Sequence, residues 1–226
     1  MDTAKAISVL LDNPGMISDY YARNTSEFSS RIPLILLPTS SGTGSEVTGL
    51  CVIHDTASHA KIPVYRSANL AIVDPMLTVS APPAVTAASA FDAMSHALEA
   101  YTSKYHTEKV DTLALQAIQL IAENILVAYE DGSNVIAREN LAFASNIAGI
   151  AFNEVSVHIG HAIAHEFGLQ FHLPHGVACA LTLTTVLHDT FSVDSARGIA
   201  VAKLFGYDPS THVQQPEEYL QDKIHN

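Results

Sequence analysis

Basic residues are scarce in this chain. Eleven lysines and arginines stand against 23 aspartates and glutamates in 226 residues, a formal net charge of −12. So acidic a surface argues against nucleic acid and against a membrane as partners. Two cysteines, Cys51 and Cys179, are too few for a disulfide framework, and each is expected to pack as a small apolar residue. No apolar run approaches the ~20 residues of a membrane span. The opening MDTAKAISVLLDNPG has neither the basic segment nor the small-residue cleavage site of a secretory signal, so the expected location is cytoplasmic. The nucleophile signature GxSxG is missing, and so are the Walker and GxGxxG phosphate loops. Internal repeats and low-complexity segments are absent. Apolar residues still make up 48% of the chain and charged ones only 15%, which supplies a core and argues against disorder.

The character of the chain changes near Asp74-Pro75. Before it, a first helix with Asp2 as N-cap and Ala6, Val9 and Leu10 on its apolar face is expected to stop at Asn13-Pro14-Gly15. The run IPLILL, 32–37, reads as a fully buried parallel strand, and 47–54, 61–65 and 70–73 read as further strands. Beyond Pro82-Pro83 the period lengthens to that of helices, at 84–101, 110–129, 134–152, 158–168, 176–188 and 194–204. The polar tail from 208 gives no clear element. A boundary near residue 80 therefore divides a partial α/β domain, 1–80, from a helical domain, 81–226, which has no closing signal.

Half of the twelve histidines fall between His158 and His188. His161 and His165 stand four apart and share a helix face, and Leu173-Pro174 breaks that helix and delivers His175 at the start of the next. Upstream, Asp92 and His96 form a second such pair on an otherwise apolar helix. Taken alone, that pair is equally consistent with a structural hydrogen bond. With the other three histidines it suggests four ligands around Fe2+ or Zn2+, and spacing leaves open which four. The order HxxxHE is not the HExxH of zinc proteases. His158, His172 and His188 lack a spacing argument, while His54, His59, His106, His212 and His225 are polar-flanked and expected at the surface. The segment PTSSGTGSE comes directly after a strand and offers hydroxyls and backbone N–H groups to a phosphate or ribose, although by pattern alone it also reads as a surface loop.

Four blocks in this order, PTSSGTGSEVT, DPMLT with PP shortly after, FDAMSHALEAYTS and GHAIAHEFGLQFHLPHG, resemble the iron-containing (group III) alcohol dehydrogenases. The resemblance runs from Met1 to about Tyr207. It implies a partial Rossmann-like α/β part joined to an all-helical, dehydroquinate-synthase-like part, with the metal in the cleft. It implies Asp92, His96, His161 and His175 as metal ligands, and His165 as a nearby polar residue of the active site rather than a ligand; a proton relay through His165 is our own expectation from its position. Thr39, Ser40 and Thr43 would belong to the loop contacting NAD or NADP, Lys61 would lie near the nucleotide, and Phe152 would flank the nicotinamide. The implied partner is a small alcohol or aldehyde, in a homo-oligomer. Three neutral imidazoles and one carboxylate leave a divalent cation with net positive charge, which suits hydride loss from an alcohol to a nicotinamide and polarisation of an aldehyde in reverse. Family members carry a GGGS turn before the Asp-x-x-Lys helix, here Asp2 to Lys5, so a chain cut short at both ends is expected, with the metal constellation whole and the cofactor site partial. A metal-binding fragment without turnover, or a glycerol-dehydrogenase-like relative, is the alternative.

Overall fold

The computed structural model describes residues 1–22, 28–58 and 60–225; His59 lies outside them, as does the side chain of His225. Helix α1 (Asp2–Asp12) opens the chain. Asp2 is its first residue rather than its cap, and the Asp2 carboxylate accepts Ser45 Oγ at 2.9 Å and Val52 N at 3.0 Å. One turn later Lys5 is wholly buried and donates to the carbonyls of Thr48 (2.9 Å) and Leu50 (2.7 Å). These bonds dock α1 on the segment after the Gly/Ser-rich loop. Leu10, expected inside, is 38% exposed because the helix turns Lys5, Ser8 and Val9 inward instead. Asn13 closes the helix, its amide donating to the Val9 carbonyl at 2.7 Å.

Three of the four strands are shorter than the apolar runs suggest, while the third matches its run within one residue. Strand β1 (Ile35–Leu36) pairs in parallel with β4 (Leu70–Ala71), while β2 (Leu50–Asp55) and β3 (Ala60–Tyr65) form a separate antiparallel hairpin. The start of β2 is delayed because 44–48 turns, with Val47 N and Thr48 N donating to the Gly44 carbonyl. IPLILL is not buried on both faces. Leu34 and Leu36 are inside, but Ile35 (52%) and Leu37 (46%) are exposed, because no layer covers that side of β1 among the described residues.

From Pro83 onward the chain is helical: α2 (Pro83–Tyr101), α3 (Glu108–Glu130), α4 (Val135–Val155), α5 (Ile159–Phe171), α6 (His175–Val193), α7 (Ser195–Leu204) and α8 (Pro216–His225). Thr107, Asn134 and Asp194 cap α3, α4 and α7 through their side chains. The core lies where α2, α3 and α4 meet, and small residues let them approach closely: Ala90, Ala93, Ala97, Ala114, Ala117, Ala144 and Ala148 are all buried there. By length and composition alone α3 and α6 could cross a membrane; here α3 packs against α2 and α4, and α6 against α2, α5 and α8. The tail holds the helix that its sequence hid. Tyr219, Leu220 and Ile224 of α8 pack on the core, and Tyr219 Oη donates to the Phe205 carbonyl at 3.0 Å. Ten residues with three apolar anchors leave little periodic signal.

Candidate metal centre

Asp92, His96 and Glu99 form one stripe along the buried face of α2. Each is at most 6% exposed on a helix that is otherwise apolar at that depth, so their polarity must be satisfied by neighbours. Two further helices supply them. His161 enters on the first turn of α5, and His175 is the first residue of α6. The approach of α6 depends on Gly176, where a Cβ would sit 2.0 Å from the Ala88 carbonyl of α2, so glycine next to His175 lets the two helices touch.

Three imidazole Nε2 atoms converge on one oxygen, Asp92 Oδ1: His175 at 3.4 Å, His161 at 3.7 Å and His96 at 3.9 Å. Cys179, one turn along α6 from His175, adds its Sγ at 3.7 Å from the same oxygen. The donor atoms of Asp92, His161, His175 and Cys179 all lie within 4.8 Å of one another. The His96 ring is sandwiched between Phe152 (centroids 4.1 Å) and His161 (4.4 Å). His161 Nε2 is buried without a hydrogen-bond partner. The His175 side chain is 34% exposed, so the centre opens on that side.

Glu99 sets the orientation of His161. A carboxylate only accepts, so the 2.7 Å contact from His161 Nδ1 to Glu99 Oε1 fixes the proton on Nδ1 and turns Nε2 toward Asp92. The same carboxylate accepts the backbone N–H of His161 at 2.9 Å and that of His158, capping α5 from another helix. Gly160 makes room for it, since a Cβ there would meet Glu99 Oε1 at 2.5 Å. His158 in turn reaches Thr102 Oγ1 through Nε2 at 2.9 Å.

These contacts set the charges. Burial works against ionising Asp92, but His96, His161 and His175 outweigh it and hold the carboxyl below the usual range. Burial pushes His96 down to about 4, against the pull of Asp92. Burial, Lys61 and His175 push His165 down to about 4. His175 is lowered as well, chiefly by burial. His161 goes the other way: burial opposes its charge, but Asp92, Cys179 and Glu99 raise it to about 11. One ionised carboxylate, the neutral imidazoles of His96 and His175, and an unpartnered Nε2 on His161 are a donor set that fits a divalent cation.

Of the other candidate residues, His165 and Lys61 lie beside this centre. The His165 ring is half-buried, 5.1 Å from that of His175. Lys61 on β3 is exposed, and its charge reaches both His165 and His175. Thr39 and Thr43 are exposed, while Ser40 shares a small cavity with Thr86, Ser89 and Arg138. The loop itself is pinned to α4, where Asn153 Oδ1 accepts Gly49 N at 2.8 Å and Asn146 Nδ2 donates to the buried Glu46 at 3.0 Å. Sequence pattern does not mark Glu99 or Cys179, although each sits at helical spacing from a residue that it does mark.

Known proteins are similar to this chain in sequence and fold. Residues 86–226 match the model of the Fe-containing alcohol dehydrogenase family, C-terminal, and residues 1–75 match iron-containing alcohol dehydrogenase. The chain belongs to the iron-containing alcohol dehydrogenase family. It is 46% identical over 157 residues to 1-propanol dehydrogenase PduQ of Citrobacter freundii, a match that covers 68% of this chain and 42% of that protein. It is 38% identical over 212 residues to the NAD-dependent methanol dehydrogenase of Bacillus methanolicus, covering 92% and 55%. Sulfoacetaldehyde reductase from Bifidobacterium kashiwanohense, solved with NAD+, superposes with a TM-score of 0.90 at 32% identity, over 99% of this chain and 58% of that one. The fold is thus a partial Rossmann-like α/β part joined to the family's helical part. The chain spans about half the length of the curated relatives it matches.

Proposed function

We propose that this chain holds a divalent cation on Asp92, His96, His161 and His175, and that it serves the NAD(P)-linked interconversion of a small primary alcohol and its aldehyde. In this reading residues 81–226 hold the ion and residues 1–80 contribute part of the cofactor site. The observation that carries it is the convergence of three imidazole Nε2 atoms on Asp92 Oδ1, at 3.4, 3.7 and 3.9 Å. A buried anion at the focus of three imidazoles is what a cation completes. Fe2+ is the ion we assign from the family, with Zn2+ as the alternative, since carboxylate and imidazole suit both.

When bound, such an ion supplies Lewis acidity, which eases deprotonation of an alcohol and polarises a carbonyl. The protein's own groups do the rest. Glu99 keeps the His161 Nδ1 proton, so that Nε2 is the nitrogen that would give up its proton and offer its lone pair to the ion. His165, neutral and open to the same cleft, takes the hydroxyl proton on a ring nitrogen and passes it outward. Phe152 covers His96 and keeps water from that side. The hydroxyls of Thr39, Ser40 and Thr43 and the charge of Lys61 suit the ribose and phosphates of a nicotinamide cofactor.

The test is nicotinamide reduction by the metal-reconstituted chain with a panel of short primary alcohols, beside an Asp92→Ala/His161→Ala control. Turnover lost in the control supports the reading. Metal uptake without turnover favours a second reading, a metal-binding chain that does not complete a cofactor site, which the coverage of about half of each relative motivates.

A further inference from the structure

We propose that Cys179 is a further donor to this cation, so that the centre carries a sulfur ligand beside its carboxylate and imidazoles. The inference rests on the metal reading above and concerns the composition of the same site.

Geometry carries it. Donor atoms bound tetrahedrally at ~2.1 Å for nitrogen or oxygen and ~2.3 Å for sulfur lie roughly 3.4–3.6 Å from one another. Cys179 Sγ is 3.7 Å from Asp92 Oδ1 and 3.8 Å from His175 Nε2, and Asp92 Oδ1 is 3.4 Å from His175 Nε2 and 3.7 Å from His161 Nε2. These four separations are therefore near those of one coordination sphere, and the donor atoms of all four residues lie within 4.8 Å of one another. The approach of His96 is longer, at 3.9 Å, and its ring is clamped between Phe152 and His161, which puts it at the edge of the group. His161 Nε2, buried and unpartnered, points at the same focus from α5 and is an observation independent of the cysteine. Cys179 itself is 1% exposed. Its Sγ is turned toward the Asp92 carboxylate, to which the thiol donates at 3.7 Å, and toward the His175 ring.

The chemistry balances simply. On loading, the thiol proton leaves to solvent, the thiolate donates a lone pair, and no electron is transferred. A thiolate suits Fe2+, Co2+ and Zn2+ better than it suits Mg2+ or Ca2+, whose ligands are oxygens.

Cobalt(II) distinguishes the possibilities, because its visible d–d bands report an occupied site whereas a near-ultraviolet thiolate-to-cobalt charge-transfer band reports sulfur. The parent chain is expected to show both. Cys179→Ala is expected to keep the d–d bands and lose the charge-transfer band, with its helical circular dichroism unchanged. Cys51→Ser, at a cysteine buried in a separate apolar cluster with Ile62 and Val64, is expected to keep both. A parent chain with d–d bands and no charge-transfer band overturns sulfur ligation and leaves the metal reading standing, as does a band that survives Cys179→Ala. Absence of all cobalt bands overturns both.

Discussion

Replacing Glu99 by Gln removes one oxygen and a charge while preserving shape, and the hydrogen bonds around it determine the cost. The carboxylate accepts three N–H groups: His161 Nδ1 at 2.7 Å, His161 N at 2.9 Å and His158 N. A glutamine with its oxygen toward His161 keeps two of them and turns its own N–H2 against the His158 N–H, donor against donor. One bond to a charged acceptor, worth about 1.5–3 kcal/mol, is lost. The other two fall to the ~0.5–1.5 kcal/mol of neutral pairs. Together these weaken the docking of α5 by about 3.5–6 kcal/mol before relaxation. Helix α5 is ill-equipped to absorb that loss, because only Gly160, His161 and Ala164 of its thirteen residues are buried. With the ring of His161 released, metal affinity falls about 10–100-fold, the usual cost of an orienting partner. Chelator competition reads the affinity, urea unfolding of the metal-free chain reads the docking, and amide exchange localises it to α5. An affinity equal to that of the parent, alongside lowered stability, refutes the orienting role and leaves Glu99 a helix cap.

The same geometry dictates three further outcomes. Gly176→Ala drives a Cβ into the Ala88 carbonyl, 2.0 Å away, and is expected to destabilise the fold by about 1–3 kcal/mol and to weaken metal binding by moving His175; thermal melts and chelator competition check both. Metal loading at about pH 7.5 is expected to release the His161 proton, which the metal-free site holds up to about 11, while His96 and His175, both lowered, have none to give. Apparent affinity then rises with pH through neutrality by about tenfold per unit per proton, and a pH-indicator titration should count two protons in the parent and one in Cys179→Ala. Arg138→Met leaves the Gly132 and Ala81 carbonyls and Thr86 Oγ1 without their donor and should cost about 2–4 kcal/mol in urea unfolding, with metal affinity unchanged.

Much of the centre is legible in the sequence because helices repeat. Asp92 with His96, and His161 with His165, are pairs four apart, and Pro174 announces that His175 begins a new element. Glu99 obeys the same rule, three residues past His96 and seven past Asp92, yet its partners are backbone N–H groups of α5, which no spacing in α2 reveals. Cys179 comes one turn after His175, but a buried cysteine reads as packing until its neighbours are known. The strands are harder. An apolar run such as IPLILL says that residues prefer burial, not whether a second layer covers Ile35 and Leu37, and a pairing of two residues leaves little pattern. In α8, three anchors in ten residues fall below any periodic signal.

A single cation on Asp92 and its converging imidazoles underlies all of these expectations. Anaerobic titration of the metal-free chain with Fe2+, with bound metal counted by elemental analysis, tests it most directly. One ion per chain is expected in the parent, and none retained by Asp92→Ala of unchanged helical content. Equal uptake by the two would contradict a metal centre built on Asp92.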